Sequence, residues 1–251
     1  MSEPTLVTES LGLRITGIDI VRDVSMRVAA GEFVGIIGPN GAGKTSLLNL
    51  LTGTSRATSG TVHLLGYDVT RMSPNRRARH GLARTFQTSY LLLGLSVREN
   101  VRLALQSKNT SVVGLLRVVG KNDATRTRSM EILDSVGLTD AELQTAGSLS
   151  HGDRRKLELA FVLASEAPVV LLDEPMAGVN AEDVDDLMEL IRGIHEQQKT
   201  TILMVEHHIH VVLGLADRVA VMHHGALLAI DSPDRIMNNA EVQKAYVGEP
   251  L

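Results

Sequence analysis

The chain predicts an α/β domain with a mostly parallel sheet, a small antiparallel β subdomain and an inserted α-helical subdomain, and three observations carry that reading. Short β-branched or apolar runs at residues 32–37, 169–172, 201–205 and 218–222 alternate with longer amphipathic stretches, the pattern of strands connected through helices. Between residue 85 and about residue 161 the strand pattern stops, and residues 97–105, 126–136 and 152–164 carry apolar side chains at helical spacing. Near the N-terminus, residues 24–28 run into Ala29-Ala30-Gly31 and residues 60–65 into Gly66, strands with turn punctuation that suit a second, antiparallel sheet.

Size and composition suit one domain over residues 1–251, with about 86–161 as the insertion. A chain of 251 residues that is 43% hydrophobic can bury a sizeable core. Its net charge of −4 is dispersed, and no block of Lys or Arg is long enough for a nucleic-acid footprint, so nucleic acid is excluded as the main ligand. With no cysteine, the chain has no disulfide, thiolate zinc site or iron–sulfur cluster, which fits a reducing compartment. Residues 1–10 lack the basic start and apolar run of a signal peptide. The longest apolar runs, residues 169–172 and 112–119, fall short of the roughly 20 residues that span a bilayer. Residues 112–119 suit burial in the helical subdomain better than membrane contact. The expected location is cytoplasmic.

Gly38-Pro39-Asn40-Gly41-Ala42-Gly43-Lys44-Thr45 fits G-x-x-x-x-G-K-[ST]. It lies between an apolar strand and a helical run at residues 46–51, the context a phosphate loop requires. Glycines let successive backbone N–H groups converge on phosphate oxygens, and the helix start adds partial positive charge. Lys44 is expected to reach the β and γ phosphates and Thr45 to ligate Mg²⁺, with Ser46 completing the nucleotide-binding set. A plain glycine-rich turn is the competing reading, and the flanking strand and helix argue against it. Asp173 and Glu174 end the apolar run at residues 169–172, at the strand edge where a doubly wound sheet binds ligands. Asp173 suits the magnesium side and Glu174 the group that polarises the attacking water, because adjacent acids cannot both serve the metal equally.

Leu149-Ser150-His151-Gly152-Asp153 resembles the signature sequence of the ATP-binding-cassette ATPases, and the resemblance extends over nearly the whole chain. Ser150-x-x-Asp153 also fits a capping box, so a well-made helix start is compatible with it. The resemblance implies that Ser150 and the Gly152 backbone contact the γ phosphate of ATP held by an opposing subunit. Gln87, in Ala83-Arg84-Thr85-Phe86-Gln87, resembles the glutamine that senses Mg²⁺ and water; His207 resembles the switch histidine. Ala177-Gly178-Val179-Asn180 stands at the intersubunit loop, with Asn180 where the family usually has Asp. Ile15 stands where the family usually has an aromatic residue stacked on adenine, which predicts loose apolar contact with Ile15, helped by the Arg14 plane, and poor ATP/GTP discrimination.

His207, His208, His210, His223 and His224 raise a metal site as an alternative. The first three are too close in sequence to share one helical ligand face, and no thiolate or clear carboxylate accompanies them.

Several segments resemble the ATPase subunits of branched-chain amino-acid importers, with urea importers close behind: residues 81–87, 96–101, 151–153, 176–180 and 245–249. The implied assembly is a homodimer or a heterodimer with a second cassette ATPase, two transmembrane permeases and, indirectly, an external solute-binding protein, placing the chain on the inner face of the cell membrane. The ATPase of a lipid exporter shares the C-terminal pattern but is less similar around Gln87. Soluble cassette machines for DNA repair or translation usually carry two cassettes or long arms, and a P-loop kinase or GTPase leaves residues 149–153 unexplained.

Overall fold

The computed structural model describes residues 3–85, 91–107 and 124–246. The chain divides into two compact units: one takes Met1–Arg84, Pro168–Pro175 and Arg192–Leu251, the other Thr85–Ala167 and Met176–Ile191. The expected insertion falls inside the second unit, which also takes in residues 162–167 and Met176–Ile191. Gln87, residues 112–119 and residues 247–249 of the C-terminal segment lie outside the described residues.

In the first unit, β1 (Pro4–Ile15) and β2 (Ile18–Ala29) form a long hairpin, joined by β4 (Ser59–Leu64) and β5 (Tyr67–Asp68) in the order β2-β1-β4-β5. All pairs in this sheet are antiparallel. The hairpin turns on Thr16 and Gly17, both at positive φ (48° and 86°), the conformation two-residue hairpin turns favour.

The second sheet has the order β10-β9-β3-β8-β7-β6, built from β3 (Phe33–Ile37), β6 (Leu82–Arg84), β7 (Val169–Asp173), β8 (Thr201–Val205), β9 (Arg218–His223) and β10 (Ala226–Asp231). Every neighbour pair is parallel except β9 with β10. Every residue of β3, β7 and β8 is buried, which is why these strands read as continuous apolar runs without alternation.

The helix that follows β3 is α1 (Lys44–Thr52). Its C-terminal end is held by Arg77 of α2 (Pro74–Arg79), which is 2% exposed and donates from Nη1 to the Leu50 and Leu51 carbonyls at 2.6 and 2.7 Å. A buried cation on the last carbonyls satisfies orphan acceptors and complements the helix dipole.

The second unit holds α3 (Val97–Ser107), α4 (Ala124–Ser135) and α5 (His151–Ser165), which contact one another; Val97 and Val101 of α3, Ile132 and Leu133 of α4, and Leu157 and Ala160 of α5 are buried. These helices match the three expected runs within two residues at every end. The boundary between units at Ile191/Arg192 falls within α6 (Val184–Gln198). Among the described residues no helix is long and apolar enough to cross a membrane.

Candidate functional site

The loop from Gly38 to Gly43 joins β3 to α1, and its glycines are required at two points by close approach. A Cβ on Gly38, at φ 154°, would overlap the Met222 carbonyl, and one on Gly43, at φ 96°, would lie 2.7 Å from the Ile20 carbonyl oxygen. Gly41, at φ 78°, faces open space, so the loop is braced from behind by β2 and β9 and open in front. The turn after β9 adds to the brace: Gly225 donates its N–H to the Ala42 carbonyl at 3.0 Å and accepts from the Arg22 N–H at 2.7 Å. At the start of α1, Gly43 supplies no side-chain cap and the first turn holds no acid. The helix therefore presents uncapped N–H groups and uncompensated dipole charge, the requirement for binding an anion. Lys44 is 5% exposed and folds its ammonium onto the loop, donating to the Gly38 and Pro39 carbonyls at 2.6 and 3.1 Å.

Asp173 ends β7 at 1% exposure and accepts a 2.7 Å bond from Arg84 at the end of β6. The next residue, Glu174, has φ 49°, a left-handed backbone unusual for a side chain of this kind, and its N–H donates to the Val205 carbonyl at 2.9 Å. That turn brings its carboxylate to His207, 2.9 Å from Oε1 to Nε2. Behind His207 lies Glu206, 2% exposed, whose Oε2 accepts the backbone N–H groups of His207 and His208 at 2.8 and 3.3 Å and lies 3.3 Å from His208 Nδ1.

These contacts correct one expectation: two of the clustered histidines do have carboxylate partners. The pairs are separate, Glu174 with His207 and Glu206 with His208, and among the described residues no group of three His, Cys, Asp or Glu could hold a metal ion. The His223 and His224 rings touch at a tilt of 55°, with centroids 4.0 Å apart.

In the second unit, Ser150 caps α5: its Oγ accepts the Asp153 N–H at 3.0 Å and donates to Asp153 Oδ2 at 2.9 Å. The expected capping box is thus half formed, because the carboxylate returns to the cap hydroxyl instead of the cap N–H. A Cβ on Gly152 would sit 3.4 Å from Asp183 Oδ2, an ordinary contact that sets a second acid beside this helix start. The loop at residues 177–180 is tied to α5 by Arg155, which donates to the Ala177 carbonyl at 3.1 Å.

At the tip of the first hairpin, Ile15 and Ile18 pair across the turn and are 51% and 64% exposed. Arg14 is held in the hairpin itself, donating from Nε to the Gly17 carbonyl at 3.1 Å and lying 3.5 Å from Asp19.

The structure thus brings Gly38–Thr45, Asp173, Glu174 and His207 into one unit and Ser150, Gly152 and the loop at residues 177–180 into the other. It adds residues to which the sequence assigns no role: Arg84, Asn49, Glu206, Ile20 and Gly225. Only Arg84 carries a sequence signal, its place two positions before Phe86 in a segment already singled out.

A glycine loop between a buried parallel strand and a helix, with acids at the end of a nearby strand, defines a P-loop nucleoside triphosphatase. The model of the ABC transporter family matches residues 21–177, and the chain belongs to that family. It is 36% identical over 256 residues to the high-affinity branched-chain amino acid transport ATP-binding protein LivG of Salmonella typhimurium, covering 99% of this chain and 100% of the relative. The corresponding protein BraF of Pseudomonas aeruginosa is 35% identical over 255 residues, again covering 99% and 100%. Among solved structures, the ADP conformation of MJ1267, an ATP-binding cassette of an ABC transporter, superposes with a TM-score of 0.85 at 28% identity, covering 99% of this chain and 100% of that one. A nucleotide-free ATP-binding cassette also gives 0.85 at 27% identity, covering 98% and 100%. The expected fold class, family and transport-type ATP hydrolase are borne out by this likeness.

Proposed function

We propose that the chain is the ATP-hydrolysing motor subunit of an importer for branched-chain amino acids or related small amides. The observation that carries the chemistry is the Glu174–His207 contact of 2.9 Å at the ends of β7 and β8. The solute class rests on full-length similarity to LivG and BraF, whose names state branched-chain amino acid transport.

In this reading the open start of α1 takes the phosphates of ATP on its N–H groups, and the Lys44 ammonium leaves the Gly38 and Pro39 carbonyls for the β and γ oxygens. Pro39, Asn40, Gly41, Ala42 and Ser46 line the same nucleotide cradle. Glu174 orients and polarises the attacking water, and His207 holds the γ phosphate and the Glu174 carboxylate in register. Thr45, half-buried at the start of α1, and the buried Asp173 offer hard oxygen donors, the set that suits Mg²⁺. Mg²⁺ supplies charge neutralisation at the phosphates when bound. Gln87 is assigned to water and metal sensing on the resemblance alone.

Ser150 and Gly152 serve the ATP of an opposing subunit, so turnover needs a homodimer or a heterodimer with a second cassette ATPase. The chain works on the inner face of the membrane, where two transmembrane permeases, served by an external solute-binding protein, convert closure into transport. No nucleic acid takes part. Purification of the tagged chain from gently solubilised membranes, followed by mass spectrometry, tests this. Two multi-spanning permeases and a second cassette ATPase are expected. Recovery of soluble partners alone discards the transport role and leaves the ATPase.

A further inference from the structure

Arg84 makes a set of contacts that its place at the end of a three-residue strand does not require. Its side chain is 6% exposed. Nη2 donates to Asp173 Oδ2 at 2.7 Å, while Nη1 donates to Asn49 Oδ1 at 2.8 Å and lies 3.4 Å from Thr52 Oγ1. One planar guanidinium thereby joins the last residue of β7 to α1, the helix that begins at the phosphate loop. Burying such a pair costs solvation that its attraction roughly offsets, so stability alone is a poor reason for it; apolar residues of similar volume do as well or better. Geometry is the better reason, because a guanidinium fork fixes a carboxylate in one orientation in a way that a point charge does not.

We propose that Arg84 is a positioning residue for the metal-side carboxylate: it holds Asp173 in one orientation against α1, so that Mg²⁺ tightens ATP at the phosphate loop. This rests on the reading of Asp173 and Thr45 as the magnesium side of the site. Arg84 touches neither nucleotide nor water in this account and acts through Asp173, with Asn49 bracing the guanidinium from the helix.

The test measures ATP binding to the purified chain by calorimetry, first in EDTA and then across a Mg²⁺ series, together with the thermal midpoint. Arg84→Met should leave ATP affinity in EDTA unchanged and raise the Mg²⁺ concentration for half-maximal tightening about tenfold, the usual effect of removing a partner of a metal ligand. Arg84→Lys keeps the charge and loses the fork, so it should fall between. Asn49→Ala, which removes the brace, should shift the Mg²⁺ midpoint in the same direction by a smaller factor.

A Mg²⁺ midpoint that is unchanged or lower in Arg84→Met, with only the thermal midpoint falling, overturns the proposal. Loss of EDTA and Mg²⁺ binding in equal measure overturns it too. Should Arg84→Met fail to fold, unchanged midpoints in both Arg84→Lys and Asn49→Ala do the same. Failure of the underlying reading shows differently: Asp173→Asn and Thr45→Ala would then leave the wild-type Mg²⁺ response intact.

Discussion

α1 begins at Gly43, which supplies no side-chain cap, and has no acid in its first turn, whereas α5 begins at Ser150, whose hydroxyl accepts the Asp153 N–H and donates a hydrogen bond to the Asp153 carboxylate. Both are helix starts with the same unsatisfied N–H groups and the same partial positive charge. The first leaves that charge for a ligand and is stabilised elsewhere, by Arg77 on its last carbonyls and by Leu47, Leu48, Leu50 and Leu51 in the core. The second answers its own charge with Asp153 and, beside Gly152, Asp183. A phosphate would meet an uncapped helix start at one end and compete with the Asp153 and Asp183 carboxylates at the other. The two ends of the proposed ATP clamp are therefore unequal, and the weaker is the one proposed to act between subunits.

The largest test separates binding at these two ends from chemistry. Glu174→Gln should retain ATP on α1 and lower turnover by about 100-fold or more, the scale of a lost general base. Steady-state hydrolysis and trapped nucleotide measure the two halves. Turnover near the wild-type rate would remove Glu174 from the role of base and leave its strained backbone unexplained.

Lys44→Ala probes the open end directly. Losing one charged donor to phosphate should weaken ATP binding by about tenfold to a hundredfold, as expected for a hydrogen bond to an ionised group. Ser150→Ala in the isolated chain should leave ATP affinity at the wild-type value, because Ser150 is proposed to meet ATP only across a dimer. If both variants weaken binding alike, the inequality between the two helix starts is wrong.

The self-answered end is tested by Asp153→Asn, which removes the resident anion while keeping a side chain of the same reach. In the Glu174→Gln background, ATP-driven dimerisation should tighten by about two- to tenfold, the value of one hydrogen bond released for use. Analytical ultracentrifugation with and without ATP reads this. Weaker dimerisation would mean that the Asp153 carboxylate serves the interface and does not obstruct it.

What the sequence made legible follows the same division between local and distant chemistry. The phosphate loop, the acids after residue 172 and the start of α5 are readable because each is a local string whose spacing is its mechanism. Arg84, Asn49 and Glu206 were not, because their contacts come from distant parts of the chain: Arg84 meets Asn49 across 35 positions and Asp173 across 89, and the Glu206 N–H meets the Ile36 carbonyl where β8 runs beside β3. β6 is three residues long, too short for any periodic signal. β1 escaped for another reason: irregular pairing between Thr8 and Leu11, with Ser10 at φ 46°, breaks the alternation that would have marked a twelve-residue strand. β10 is half-exposed along its whole length at the edge of its sheet and has no buried face to pattern it. The Glu174–His207 pair was missed because its members meet only across neighbouring strand ends, whereas Glu206 and His208 stand two positions apart and were open to a local reading.

The smallest expected effect concerns the base end of the open site. The hairpin tip that carries Ile15 and Ile18 adjoins the phosphate loop, since the Ile20 carbonyl is what a Cβ on Gly43 would strike. Its exposed apolar groups are aliphatic, and of its exposed charged groups Arg14 bonds the Gly17 carbonyl and lies beside Asp19. Aliphatic contact removes area from water but reads neither the 6-amino group of adenine nor the 6-oxo group of guanine, and a site without directed hydrogen bonds to the differing group separates such ligands poorly. ATP and GTP should therefore compete within about threefold of each other for the isolated chain, measured by displacement of a fluorescent nucleotide. A strong preference for ATP would mean that a polar group reads the base, and that α1, open toward phosphate, is backed by a hairpin less permissive than its exposed isoleucines imply.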